Sequence, residues 1–333
     1  MNAYVPGDIT IAIAVGAILA ATLLVGFGIT RIPSLVTARC SAWLLVCGGV
    51  TGLERLTATQ PAGFRMVALI AVLLYAMKSV VVVESRRAGS PMPLVTWFCF
   101  AGLWVGMRPT LFSGVPGPRQ EGAAALIRQG IGRLLIGCVF VAVAWMIWTP
   151  PQDSLRGSGQ TVLATAFLLP GISLIAHFGL FNIVAGIWRQ LGAKCRPLFR
   201  APLLSKSLTE FWGQRWNMAF SEMTAIGVFR PLKGRIGPGP ATAVAFLFSG
   251  LLHELAISVP VKAGFGLPLL YFAMHAVAMF IERRLERAGR PIHRKVWLGR
   301  LWTAGWLVIP LPILFHLAFL RGCVWPLVSG NSL

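Results

Sequence analysis

The sequence predicts an all-α, polytopic integral membrane bundle of about 8–9 transmembrane helices, with re-entrant or interfacial helices besides. Three observations predict it. Hydrophobic residues make up 56% of the 333-residue chain and charged residues 12%, about half the charged share of an ordinary soluble domain. Apolar runs of membrane-spanning length recur from end to end. The basic residues behind the net charge of +20 fall in short connectors between those runs. In a soluble chain such a charge would point to nucleic acid. Here the placement fits the bias of cytoplasmic loops, and no nucleic-acid partner is expected.

The first run, Ile9–Thr30, carries no charge. Met1–Asp8 lacks a basic n-region, so this run is expected to stay in the membrane rather than leave as a signal peptide. Cys40–Leu53 becomes a second span if its helix begins near Ile32. Met66–Val83 is a third, interrupted by Lys78, which is expected to snorkel. Met92–Met107 is bounded by prolines. If it crossed, the basic stretches Glu84–Arg87 and Arg108–Arg133 would lie on opposite sides, so re-entry is preferred. Leu134–Trp148 follows, closed by Pro150-Pro151. Val162–Trp188 contains Pro170, His177 and Asn182, and reads as one kinked span or a span joined to an interfacial helix. Ala241–Val259, Leu267–Ile281 and Leu301–Phe319 complete the set. No internal repeat or long linker divides the chain, so residues 1–333 are read as one domain, with the informative region at about 200–260.

Two connectors are strongly basic, Arg189–Glu210 and Glu282–Arg300. Both are expected on the cytoplasmic side, first as topology signals and second as contacts for phosphorylated cosubstrates or anionic headgroups. The six cysteines form no CxxC, and neither a disulfide framework nor a metal site is expected.

The stretch Phe246-Leu-Phe-Ser-Gly-Leu-Leu-His253-Glu254-Leu255 sets a histidine and a carboxylate side by side inside an apolar run. Ionisable groups are costly in hydrocarbon and mark use. On a helix Ala245, Ser249 and His253 share a face, so the ring looks over small residues, and Ser249 is a candidate to fix its tautomer. A neutral imidazole in a low-dielectric cavity suits a general base toward a hydroxyl group. Taken alone, His253 reads first as a buried histidine satisfied by a backbone carbonyl. Glu254 points about 100° away on a helical wheel. Upstream lies Phe211-Trp-Gly-Gln-Arg-Trp-Asn217. Gly213 and Asn217 would share one helical face, Trp212 and Trp216 the adjacent one, with Lys206 and Arg215 adding charge. Interfacial aromatics account for the tryptophans. They do not account for Asn217, whose amide could orient an acyl carbonyl or steady an oxyanion.

These two blocks resemble the membrane-bound O-acyltransferase family, and within it the wax-synthase-like branch. Plant wax synthases carry a similar FWGRRWN block where this chain has FWGQRWN. The FxxSGxxHEL run resembles the family's histidine helix, also seen in diacylglycerol and sterol acyltransferases. The specific motifs cover about Lys206–Leu255. Gln214 departs from the plant Arg and puts a charged role there in doubt. The alginate-type branch differs, with His where this chain has Asn217.

The resemblance implies His253 as catalytic base and Asn217 as its partner, with Trp212, Gly213, Arg215, Trp216, Ser249 and Glu254 toward the substrate. It implies acyl-coenzyme A as cosubstrate, no cofactor and no metal. The acceptor is expected to be a long-chain alcohol, giving a wax ester, with a sterol, terpenoid or other small lipid as the alternative. Membrane lipids are the expected surroundings, in the bacterial cytoplasmic membrane or, in a eukaryote, the endoplasmic reticulum. A rival from another class is a transporter using His253, Glu254 and His275 as a proton relay. His177, His275 and His316 are weaker site candidates, and His293 reads as solvated. Oligomeric state is not assigned.

Overall fold

Why these segments become helices is visible at their first residues. The computed structural model describes residues 3–86, 91–149 and 159–329. Asp8 caps α1 (Ile9–Ile29) by accepting from the Thr10 N–H, and Ser34 caps α2 (Leu35–Thr57), each satisfying a donor that the first turn leaves orphaned. α3 (Ala62–Glu84) returns antiparallel to α2. Arg39–Glu84 and Arg65–Glu54 ion pairs, at 2.6 and 2.9 Å, tie the opposite ends of that hairpin together.

α4 (Leu94–Gly102) has nine residues, a rise of about 14 Å against a hydrocarbon core of about 30 Å. It is too short to cross as a helix, which is consistent with the expected re-entry. Lys78 ties down the chain at and beyond the end of α4. Its Nζ donates to the Phe100, Trp104 and Gly106 carbonyls at 2.9, 2.7 and 2.7 Å. Three ammonium donors meet three carbonyls that would otherwise be bare at the end of a buried helix. Lys78 is 0% exposed, so the snorkelling expectation fails: the protein interior offers a full set of acceptors, and the side chain has no reason to reach for water.

α5 (Ala123–Ile147) starts earlier than the hydropathy indicated, taking in Arg128 and Arg133. Pro150-Pro151, the expected stop, lies outside the described residues. α5 packs along α6 (Gly159–Ser173), a π-helical segment (Leu174–Leu180) and α7 (Phe181–Gln190), which continue as one 32-residue rod. The segment is therefore one continuous helical run, with Pro170 and a π-helical stretch inside it. The seam is built on glycine. A Cβ on Gly130 would stand 2.8 Å from the Gly179 carbonyl, and one on Gly137 2.8 Å from that of Gly171. Close backbone approach of this kind is how helices associate where no hydrophobic effect drives them together.

The centre of the chain is more broken. α8 (Leu208–Glu210) runs into a π-turn (Phe211–Arg215), then α9 (Met218–Thr224), a second π-turn (Ala225–Phe229) and α10 (Arg230–Ile236). α11 (Pro238–His253) passes through a π-turn (Glu254–Ser258) into α12 (Val259–Val261). α13 (Leu267–Arg287) lies against α11 so closely that a Cβ on Gly250 would meet the Leu269 Cα at 2.9 Å. α14 (Val296–Val308) and α15 (Leu311–Leu314) precede α16 (Leu317–Phe319). The expected continuous span Leu301–Phe319 is thus interrupted. Pro310 and Pro312 withhold two donors, and His316 caps a fresh helix by accepting from the Phe319 N–H at 3.3 Å.

Among the described residues seven helices are long and apolar enough to cross a membrane, and no strand is present. α13 has the length as well, but its last turns carry Glu282, Arg283, Arg284, Glu286 and Arg287. The protein is an all-α integral membrane bundle, with one or two fewer apolar spans than hydropathy suggested.

Candidate functional site

His253 is the last residue of α11, immediately before the π-turn. Such a turn re-aims the side chains around it and recurs at functional positions. The ring Nδ1 lies 2.7 Å from the Ser249 carbonyl. A carbonyl only accepts, so in the neutral ring Nδ1 carries the proton and Nε2 keeps its lone pair free. Ser249 does fix the tautomer, but through its backbone; its hydroxyl donates to the Ala245 carbonyl instead. The backbone-carbonyl reading of His253 holds for Nδ1, which leaves Nε2 for the base expected of it. The rings of Phe272 and Phe220 flank the imidazole at 4.3 and 5.3 Å. His253 as a whole is half-buried.

Asn217 sits between the π-turn and α9 with φ 44°, a left-handed backbone that Asn tolerates better than most residues. Its Oδ1 accepts from the Phe220 N–H at 3.1 Å. That commits the oxygen as an N-cap and leaves the amide N–H groups to donate elsewhere. Phe220 links the two candidates, with its backbone held by Asn217 and its ring against His253.

The tryptophans diverge, contrary to the shared face expected of a regular helix. The π-turn and the left-handed Asn217 break the 3.6-residue period on which that expectation rests. Trp212 meets Phe272 and His275, both at 5.5 Å, on the His253 side. Trp216 meets Phe199 and His177, at 4.9 and 5.8 Å. His177 itself stacks on Phe199 at 4.6 Å and pairs with the Ser173 hydroxyl at 3.0 Å.

The remaining sequence candidates are held away from His253. Arg215 pairs with Glu210 at 2.7 Å and donates to the Arg200 and Ala201 carbonyls. Gly213 is exposed, with open space where a Cβ would go. Glu254 accepts from the Gly266 and Leu269 N–H groups at 2.9 and 3.1 Å, capping α13. The transporter relay has no hydrogen-bonded series behind it. Nδ1 of His253, Nδ1 of His275 and Oε1 of Glu254 are each spent on backbone groups. Among the described residues no three His, Cys, Asp or Glu side chains are grouped to hold a metal ion.

Two features were not visible in the sequence. Glu282, 8% exposed, accepts from the Leu208 N–H, the Thr209 N–H and hydroxyl, and the Trp302 indole, at 2.6, 3.0, 2.9 and 3.0 Å. It anchors the start of the FWGQRWN segment to α13 and α14. The two basic connectors consequently meet, since a Cβ on Gly299 would stand 2.4 Å from the Lys206 carbonyl. They lie at one end of the bundle, as a shared cytoplasmic side requires. The second feature is a cavity of about 80 Å³ lined by Arg108, Arg196, Arg200, Glu222 and Met218. Arg108 pairs with Glu222 at 2.9 Å. Burial pushes the Glu222 carboxyl above its usual range although Arg108, Arg200, Arg196 and Lys78 pull it down. Burial, then Arg196, holds Arg200 below the ordinary arginine value.

Comparison with known proteins agrees with this region. Residues 195–278, which hold both motifs, match the model of the membrane bound O-acyl transferase family. The chain is similar to the probable long-chain-alcohol O-fatty-acyltransferase 9 of Arabidopsis thaliana, 30% identical over 49% of this chain and 51% of that one. It is similar to the long-chain-alcohol O-fatty-acyltransferase of Simmondsia chinensis, 30% identical over 36% and 39%. The probable enzyme 6 of Arabidopsis thaliana is 29% identical over 37% and 40%. The aligned part spans about half or less of the length of these relatives. The resemblance to membrane-bound O-acyltransferases of the wax-synthase-like branch holds in both comparisons.

Proposed function

We propose that this chain is an integral membrane O-acyltransferase that moves an acyl group from acyl-coenzyme A to a long-chain alcohol, forming a wax ester. The observation that carries the reading is the single free nitrogen of His253. With Nδ1–H tied to the Ser249 carbonyl, Nε2 is left as the acceptor of the ring, within the region that matches the family model. The names of the plant relatives support the acceptor class. Their plant origin lends no weight to a bacterial cytoplasmic membrane over the endoplasmic reticulum.

The chemistry follows from that nitrogen. Nε2 takes the hydroxyl proton as the alcohol oxygen attacks the thioester carbonyl, and a tetrahedral oxyanion forms. The amide N–H of Asn217, whose oxygen is committed to Phe220, is the candidate donor to that oxyanion or to the acyl carbonyl. The intermediate collapses with loss of the C–S bond, and the imidazolium returns its proton to the thiolate. The products are the ester and free coenzyme A, with His253 neutral again. No acyl-enzyme is needed. A lipid acceptor enters from the bilayer, and a donor with phosphates approaches the basic end.

The experiment is to incubate membranes carrying the protein with labelled acyl-coenzyme A and separate alcohols, sterols, terpenoid alcohols and diacylglycerol. A labelled wax ester is expected. Ester on a sterol or terpenoid alone would move the acceptor assignment, and no ester with any acceptor would remove the reading.

A further inference from the structure

Arg108, Arg196 and Arg200 converge on the small cavity from two connectors far apart in sequence. Glu222 is the one acid among its described lining residues. Three guanidiniums against one carboxylate leave the cavity short of negative charge. Burial also works against the charge of Glu222, whose side chain is 15% exposed. Arg108 reaches in to pair with it while remaining 46% exposed. A carboxylate and a phosphate offer a guanidinium the same forked acceptor. The wall behind them is stiff: Trp104 and Gly106 line the cavity, and Lys78 holds both of their carbonyls. Met218, which follows Asn217, lines it too, with its N–H tied to the Leu198 carbonyl at 2.8 Å.

We propose that Glu222 is a built-in stand-in for a donor phosphate, holding Arg108 in the cavity when it is empty and competing with the phosphate groups of coenzyme A for the arginines. The inference rests on the acyl-coenzyme A reading and deepens it, because it makes one carboxylate the setting for donor affinity. An incoming phosphate displaces Glu222 from Arg108, and the affinity measured is the difference between the two pairings. Removing the charge at 222 while keeping its shape tightens donor binding. Removing Arg108 weakens it.

The test is calorimetric binding of unacylated coenzyme A to the purified full-length protein, with ester formation assayed in parallel. Glu222→Gln is expected to bind coenzyme A about three- to fivefold more tightly than the parent, the range of an exposed charge pair, with the change appearing in KM more than in kcat. Arg108→Gln should bind more weakly, and parent binding should fall as salt is raised. Unchanged or weaker affinity in Glu222→Gln overturns the inference. If that variant does not fold, Arg108→Gln decides, and unchanged affinity there overturns it equally. Nanodiscs with and without phosphatidylglycerol separate the two phosphate sources. Tightening toward the anionic lipid but not toward coenzyme A would assign the cavity to a headgroup and overturn the donor assignment. Tighter coenzyme A binding without any ester would keep the anion site and remove the acyltransferase reading. Ester formation with no effect of Glu222→Gln would remove this inference alone.

Discussion

The two sides of the candidate site are built by different physics. The Asn217 side is tied by directed bonds. Glu282 receives four donors, and Glu210 receives both the Lys206 N–H and Arg215. The Ser221 hydroxyl donates to the Trp212 carbonyl at 2.6 Å. The His253 ring has one backbone bond, and its other described contacts are aromatic packing. Directed bonds fix an irregular backbone that no helical period would hold. Packing and one backbone bond hold a ring at the end of a helix, where the backbone is already satisfied. The first arrangement should be intolerant of single changes at its anchor, the second forgiving of changes in shape.

The largest expected effects are those that remove chemistry from either side. His253→Ala should lower the rate by about 10²–10⁴-fold, as loss of a general base does, with the protein still present in membranes at near-normal level. Near-parent turnover would end the base assignment. Asn217 needs a subtler substitution, because its φ of 44° makes alanine strained. Asn217→Gly keeps the left-handed backbone and costs the cap only a few tenths of a kcal/mol. It should still lower kcat by about 10²–10³-fold if the amide serves an oxyanion. Parent-like kcat in the glycine variant would reduce Asn217 to a backbone device.

The difference between the two sides also explains what could be read beforehand. The apolar spans, and the shortness of the helix within Met92–Met107 between its prolines, were legible because each depends on local pattern. Glu282 was not. It lies 73 and 74 residues from the backbone groups it serves, and in sequence it is one more charge in a basic connector. The divergence of Trp212 and Trp216 was hidden for a related reason. Helical periodicity assumes 3.6 residues per turn, and the π-turn at Phe211–Arg215 does not obey it. Lys78 was visible as a residue, but its three acceptors come from a segment whose re-entry had to be known first. The role given to Glu254 faced the same obstacle, since the turn that brings Gly266 to it is not written in the histidine motif.

Next in size is the anchor. Glu282→Gln replaces one acceptor oxygen with an amide NH2 that faces N–H donors. Each bond to a charged group contributes about 1.5–3 kcal/mol, and donors left buried and unmet cost more. The variant should show a lowered thermal midpoint in detergent and a kcat reduced about tenfold or more, since small misplacement of reacting groups is costly. Coenzyme A affinity should change less than kcat. Full activity in Glu282→Gln would mean that the FWGQRWN segment holds its shape unaided, and the contrast between the two sides would lose its first half.

The smallest effect tests the second half. Phe272 is 2% exposed and touches both His253 and Trp212, at 4.3 and 5.5 Å. If packing alone positions the imidazole, Phe272→Leu keeps an apolar wall of similar bulk. Swaps of this kind cost less than about 1.5 kcal/mol. The ring stays on its helix because α11 and the Ser249 carbonyl hold it, so kcat should fall only about two- to fivefold, within what a loss of that size allows. Phe272→Ala opens a real cavity, and about 3–5 kcal/mol is the usual loss. It should reduce the folded fraction more than the turnover of what folds. The comparison is read from ester formed per folded molecule in the two variants. If Phe272→Leu costs as much turnover as Glu282→Gln, the phenyl ring aims the imidazole rather than backing it. His253 would then depend on one specific contact, as Asn217 depends on its anchor.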